Sequence, residues 1–373
     1  WVTRTLKYET KYYTRKCTIE TKIDGAGFIP PKGTETKHPG VYQTNKNVIK
    51  LLKPKTKKQR KIKTLLLDRS KLAKALETLI SSDGTRGLIN KVMEDGCIHS
   101  SYNMTVTKTG RLSSSDPNGQ NLPREGTSPV KLAVKPRFDY ILECDLSQIE
   151  WRGVAELSGD KVMIWEIKNG VDPHTENAVA FFGAKLEDKE CGNKKREKAF
   201  KELRTVAKIM TFRLIYGGSA YSFYMDQKMP SYSLKKWQQI VNAFYEKYAG
   251  LKAWQENNIR EVYAKGGKLV NPTGRRFVFN KGDDGYRPQQ IKNFPVQSFA
   301  TADLMPLAMV VIYKKFKAAG FKSLIIGQVH DALIFDVKKE ELENLARLCL
   351  DVFKDLPKYV YHYWGIKMKV PIK

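Results

Sequence analysis

The sequence predicts a mixed fold, α/β of the α+β kind, in two or three subdomains. Three observations lead there. Apolar β-like runs end in charged residues: FDYILECD at 138–145, and LII (324–326) and ALIF (332–335) on either side of His330 and Asp331. Helical periodicity dominates from about 160 to 260, most clearly at 195–216. A chain of 373 residues exceeds what one small core usually occupies, and 41% hydrophobic content supplies packed interiors and argues against disorder.

In order along the chain, 1–45 hold β-like patches (YETKYYTRKCTIETKI) and a Gly/Pro-rich loop. KLLKPKTKKQRKIK at 50–63 carries eight basic residues and no acid, which suits a solvated surface or an element gripping a polyanion backbone. A helix is expected from about 59 to 81, with Leu72, Leu76 and Leu79, ending at SSDG. Residues 98–125 are loop-rich. DYILEC reads as a strand ending near Asp145, followed by a helix. KGGKLVNPTGRRFVF (265–279) reads as a hairpin turning at NPTG. A long helix is expected after Pro295, closed by Gly320. The His330–Asp331 hairpin, a helix around 339–353 and a last strand, GIKMKVPIK, complete the chain.

The net charge is +27, from 66 Lys+Arg against 39 Asp+Glu. So large an excess repels itself unless a polyanion offsets it, so nucleic acid is the expected partner. An anionic membrane surface is disfavoured because no long apolar span or basic amphipathic terminal helix stands out. Five scattered cysteines without CxxC pairing suit a reducing, intracellular compartment rather than a zinc site or disulfide framework. The chain opens with Trp1, so a fragment is expected, and the absence of a targeting signal says little.

Three segments carry chemistry. In ECDLSQIEWR (143–152), Asp145 sits at a strand end; taken alone, a helix N-cap is the favoured explanation. In LRTVAKIMTFRLIYGG (203–218), Arg204, Lys208, Phe212 and Tyr216 recur every four residues. They form one slowly drifting helix face roughly 18 Å long, cationic first and aromatic last. Such a face fits a ligand with phosphates at one end and a flat base at the other, although core packing would also place the aromatics there. In GQVHDALIF (327–335), Asp331 is a carboxylate among apolar runs, costly unless a cation compensates it. If the two strands are sheet neighbours, Asp145 and Asp331 converge, the arrangement that holds two Mg²⁺ for phosphoryl transfer.

In order, these segments resemble motifs A, B and C of the family A DNA polymerases, the DNA polymerase I group. TGRLSSSDPNGQNLP (109–123), DPHTENAVAFFG (172–183) and NFPVQSFATADLM (293–305) resemble further segments of that family, so the likeness spans about 109 to 337. The resemblance implies a right-hand polymerase: an antiparallel-sheet palm at 109–160 and 293–373, helical fingers at 161–292 and a helical, basic thumb at 46–108. The role of 1–45 is unknown. It implies template-dependent DNA synthesis from a primer 3′-hydroxyl with release of pyrophosphate, two Mg²⁺ ions (Mn²⁺ as a substitute), and DNA primer-template and dNTPs as partners. Asp145 and Asp331 inherit metal binding, with the Leu146 carbonyl as a further ligand. Arg204, Lys208 and His174 inherit the phosphates, Lys208 also as general acid. Glu150 inherits the steric gate against a ribose 2′-hydroxyl, with Gln148 and Tyr216 beside it. Phe212 inherits the incoming sugar and, being Phe rather than Tyr, rejection of dideoxynucleotides. Arg111, Asn293, Gln297 and His330 inherit the primer terminus and minor groove. Asn118, Gln120 and Asn121 inherit the template strand or a local loop role.

The chain departs from the family in places. Motif C reads HDA, with Ala332 where a second acid is usual, and Gln289 stands where Arg is frequent. No DxE…D cluster of a 3′–5′ exonuclease is present, so no proofreading is expected from these residues. The chain ends at KVPIK, short of the family's Trp-containing tail, as truncation would leave it. A monomer in the cytoplasm of a bacterium or phage-infected host is expected, with an organelle as the alternative; a processivity factor is not legible. Two other functions compete: a phage-type single-subunit RNA polymerase, disfavoured by Glu150 and TGRLSS…QNLP, and a catalytically dead DNA-binding homologue, which Ala332 slightly favours.

Overall fold

The computed structural model describes residues 2–9, 14–21, 26–81, 83–122 and 130–372; Trp1, Pro123 of the TGRLSS…QNLP segment and the last residue of the expected C-terminal strand lie outside them. The chain divides into two compact units, Trp1–His99 with Leu122–Val134, and Ser100–Asn121 with Lys135–Lys373.

The first unit holds an antiparallel hairpin, β1 (Val2–Glu9) and β2 (Thr14–Thr21), paired from Val2↔Thr21 to Glu9↔Thr14. Helices α1 (Lys46–Leu51), α2 (Lys57–Leu79) and α3 (Val130–Ala133) follow. A capping box starts α2: the Thr56 side chain accepts from the Gln59 N–H while Gln59 accepts from the Thr56 N–H. The same Gln59 amide donates to the Ala26 and Gly27 carbonyls, tying the preceding loop down. The helix expected over 59–81 is present, but Leu72 and Leu76 lie on its exposed side.

The second unit is built on a three-stranded antiparallel sheet, with two short hairpins and ten helices among its described residues. Strands β3 (Ser101–Asn103) and β4 (Ser113–Ser115) pair with each other. Strand β5 (Tyr140–Asp145) leads into α4 (Ile149–Ser158), α5 (Lys161–Lys168), α6 (Pro173–Phe182), α7 (Lys194–Ile215), α8 (Ala220–Tyr224), α9 (Leu234–Lys247) and α10 (Ala249–Ala264). Strands β6 (Lys268–Val270) and β7 (Arg276–Val278) form the hairpin expected around NPTG. Then come α11 (Pro288–Gln297), a π-helical stretch Ser298–Leu304, α12 (Met305–Ala318), β8 (Leu324–Val329), β9 (Ala332–Val337) and α13 (Leu342–Trp364).

Sheet order is β5-β9-β8. Alternation decides its faces. Leu333, Phe335 and Val337 of β9 are fully buried against α12 and α13, with Leu142 and Cys144 of β5 packed beside them. Burying each such large apolar side chain is worth about 1.5–3 kcal/mol. Glu143 and Asp145 alternate with that set and are exposed. A second core joins α4 to α10 around Trp151, Trp237, Phe223, Phe244 and Tyr248.

Three expectations are corrected. The helix expected after Pro295 begins at Pro288 and runs through Pro295. A long apolar span does exist: Pro288–Ala318 is long and apolar enough to cross a membrane, but two-thirds of its apolar window is buried inside this unit, as in a core helix. The expected last strand is not one: residues 365–372 run as irregular chain. Side chains rather than a neighbouring strand satisfy that backbone: Arg152 donates to the Pro371 carbonyl (2.7 Å), and Glu156 accepts from the Lys369 N–H (2.6 Å).

Candidate active site

The β5–β9 register sets Asp145 opposite Ala332, one residue from Asp331. His330 and Asp331 are the two-residue turn between β8 and β9, with His330 in the left-handed region (φ 55°). The Gln328 side chain donates to the His330 carbonyl, and the Leu146 N–H donates to the Asp331 carbonyl (3.1 Å). These bonds lock the turn against the end of β5. Asp145 is not an N-cap: Gln148, at φ 52°, occupies that position of α4.

Burial pushes both carboxyls above the ordinary aspartate range; at Asp145 repulsion from Asp331 and then Glu143 adds to it. Neither forms a salt bridge to a described residue. At Asp331 the Arg111 and His330 charges offset the burial only in part. Among the described residues no three His, Cys, Asp or Glu side chains cluster as a metal cage. Two carboxylates still fit Mg²⁺, which commonly takes one or two from protein and fills its shell with substrate phosphates and water.

Helix α7 contains the four-residue recurrence, with Tyr216 as its C-cap. Lys208, Phe212 and Tyr216 line a cavity of about 660 Å³, with Arg213, Gly218 and Gln289 on its wall. Arg204 is not in that lining; its Nε donates to Asp172 (2.7 Å). Asp172 also accepts from the Thr175 hydroxyl (2.6 Å) and caps α6. Burial raises the Asp172 proton affinity, but the Arg204 and Thr175 bonds outweigh it and hold the carboxyl below its usual range.

His174 lies deeper than a phosphate-contacting role suggests. Its ring is 2% exposed, 6.5 Å from Trp151 and 5.5 Å from Phe212, and its Nδ1 has no hydrogen-bond partner among the described residues. Burial lowers its pKa to about 4. It is therefore a neutral support beneath Phe212 in this conformation.

Glu150 links the pieces. It accepts from the Tyr216 hydroxyl and from the Arg111 guanidinium, and Arg111 also donates to Thr301 in the π-helical stretch. Burial, then the Glu150 charge, pushes the Tyr216 phenol well above its usual range. At the end of α7, Gly217 (φ 85°) sits so close that an added Cβ would lie 3.1 Å from the Gln289 backbone, fixing α7 against α11.

The other candidates divide. His330 is exposed and Gln297 half-buried, while the Asn293 Oδ1 is buried without a partner among the described residues. Gln148, Asn118 and Asn121 are exposed. Gln120 donates to the Gln328 carbonyl (3.0 Å), so it braces the strand before the turn. The Asn118 Oδ1 accepts from Ser114 (2.9 Å) and from the Gln120 N–H (3.1 Å), organising its own loop. Sequence reasoning missed Asp172 and the Asp303 carboxylate, which holds Arg275 (2.7 Å) and Thr273 (2.7 Å). An acid inside the apolar FATADLM run was the available signal for Asp303.

The sequence profile of DNA polymerase family A matches residues 24–373. The chain belongs to this family. Among family A proteins, it is 32% identical to DNA polymerase I of Lactococcus lactis over 302 residues, covering 79% of this chain and 32% of that one. It is also 32% identical to DNA polymerase I of Caldicellulosiruptor bescii, over 89% of this chain and 36% of that one. The chain thus spans about a third of the length of these curated relatives. The POL domain of Pol1 from M. smegmatis, solved in complex with DNA primer-template and dNTP, superposes with a TM-score of 0.73 at 27% identity, over 92% of this chain and 56% of that one. The mixed helix and antiparallel-sheet fold expected from the sequence is therefore that of a family A polymerase domain.

Proposed function

We propose that this family A chain is the polymerase core of a template-dependent DNA polymerase, adding dNTPs to a primer 3′-hydroxyl and releasing pyrophosphate. One observation carries the reading: two carboxylates without a salt bridge to a described residue, Asp145 and Asp331, meet at the ends of adjacent strands, next to the Arg111–Glu150–Tyr216 cluster at the aromatic end of α7. The palm is assigned to 109–160 and 293–373, the fingers to 161–292 and the thumb to 46–108.

Asp145, Asp331 and the Leu146 carbonyl would hold two Mg²⁺, which supply charge neutralisation of the triphosphate and acidification of the primer hydroxyl. The chain's own groups do the rest. Arg204 and Lys208 bind the triphosphate, and Lys208 delivers a proton to the leaving pyrophosphate. Phe212 packs on the incoming sugar, held from below by His174. Glu150, fixed by Tyr216 and Arg111, fills the space a 2′-hydroxyl needs. Asn293, Gln297 and His330 contact the primer-template minor groove, where acceptors are placed alike in every correct pair. No DxE…D cluster of a 3′–5′ exonuclease stands in this sequence, so a mispaired primer end incubated without dNTPs should stay intact.

Primer extension with separate Asp145→Asn and Asp331→Asn variants tests the reading. Each should abolish extension while leaving the circular dichroism unchanged. Extension by both at the unmodified rate refutes the assignment, and preferential extension with rNTPs points instead to a phage-type RNA polymerase.

A further inference from the structure

We propose that Glu143 supplies a third carboxylate to the cation site formed by Asp145 and Asp331, acting through the water shell of the bound ion. The inference rests on the cation reading above. Leu142 and Cys144 face the apolar layer beneath the sheet, so Glu143 and Asp145 share the opposite, open face. Residues two apart on a strand stand about 6–7 Å apart, too far for both to be inner ligands of one ion but close enough to share its hydration shell.

What surrounds Glu143 gives it no other partner. Its cross-strand neighbour is Ile334, and that of Asp145 is Ala332, so β9 offers no cation to either. Glu143 makes no hydrogen bond or salt bridge to a described residue. None of the three carboxylates forms a salt bridge to a described residue, although the Arg111 charge acts on Asp331. Glu143 adds to the repulsion felt by Asp145. Left uncompensated, that repulsion is a cost; a divalent cation turns the same charge into affinity. Ala332, 3% exposed, leaves the cross-strand position without an acid, and Glu143 supplies the missing charge from the neighbouring residue pair.

The test measures Mn²⁺ binding to the whole chain by electron paramagnetic resonance, together with the Mg²⁺ concentration for half-maximal primer extension. A unit charge about 6–7 Å from a divalent ion in a water-like dielectric changes affinity about tenfold. Glu143→Gln should therefore weaken Mn²⁺ binding about tenfold and raise the Mg²⁺ requirement similarly, with little loss at saturating Mg²⁺. Ala332→Glu should tighten binding in the unmodified chain and restore it in the Glu143→Gln background. Unchanged Mn²⁺ binding in Glu143→Gln, alongside its loss in Asp145→Asn, overturns the role of Glu143 and leaves the cation reading standing. Equal Mn²⁺ binding by the unmodified chain and Asp145→Asn overturns both.

Discussion

Replacing His174 with leucine should make the protein less sensitive to acid. The ring is 2% exposed between Trp151 and Phe212, and burial holds its pKa at about 4 against an ordinary 6.5. Between those values the unfolded chain takes up a proton that the folded protein refuses. The stability linked to this ring is therefore fully present above pH 6.5 and is lost as pH falls toward 4. Working the linkage through, the loss between pH 7 and pH 5 is about 2 kcal/mol, approaching about 3 kcal/mol at lower pH. Urea unfolding of the unmodified protein and His174→Leu at both pH values reads this directly. The stability difference between the two should move by about 2 kcal/mol in favour of the leucine variant on acidification. Parallel losses in the two proteins, or a ring titrating near 6.5 in the folded protein by NMR, would refute the reasoning.

Three further outcomes are expected. Glu150→Ala should raise ribonucleotide incorporation about 10–200-fold relative to deoxynucleotides, the range one small group commands in a fitted pocket, measured as a ratio of kcat/KM values. On the proposed function, Phe212→Tyr should raise acceptance of dideoxynucleotides over that of the unmodified protein, scored as chain termination in mixed-substrate extension. Leu333→Ala, emptying a fully buried position beneath the sheet, should cost about 2–5 kcal/mol in urea unfolding while leaving Asp145 and Asp331 in place.

The elements that carry the candidate site were legible because they are local patterns. An apolar run that stops at an acid marked the ends of β5 and the β8–β9 turn, and a four-residue recurrence marked the face of α7. The failures fall where distant packing decides. The 365–372 tail has strand-like composition, but Arg152 and Glu156, more than 200 residues earlier, take its backbone hydrogen bonds. Pro295 reads as a helix start, yet the buried helix runs through it. Beside these two failures, the depth of His174 shows only in the packing of Trp151 and Phe212.

By itself, the sequence determined the elements that carry the candidate residues and a charge that suits nucleic acid, because residue type and periodicity are carried by neighbouring positions. Only the tertiary structure decided that Asp145 pairs opposite Ala332 rather than in another register, and that Glu150 is held by Tyr216 and Arg111, 66 and 39 residues away. Strand register and burial are set by which distant surfaces pack together, and no local pattern encodes that choice.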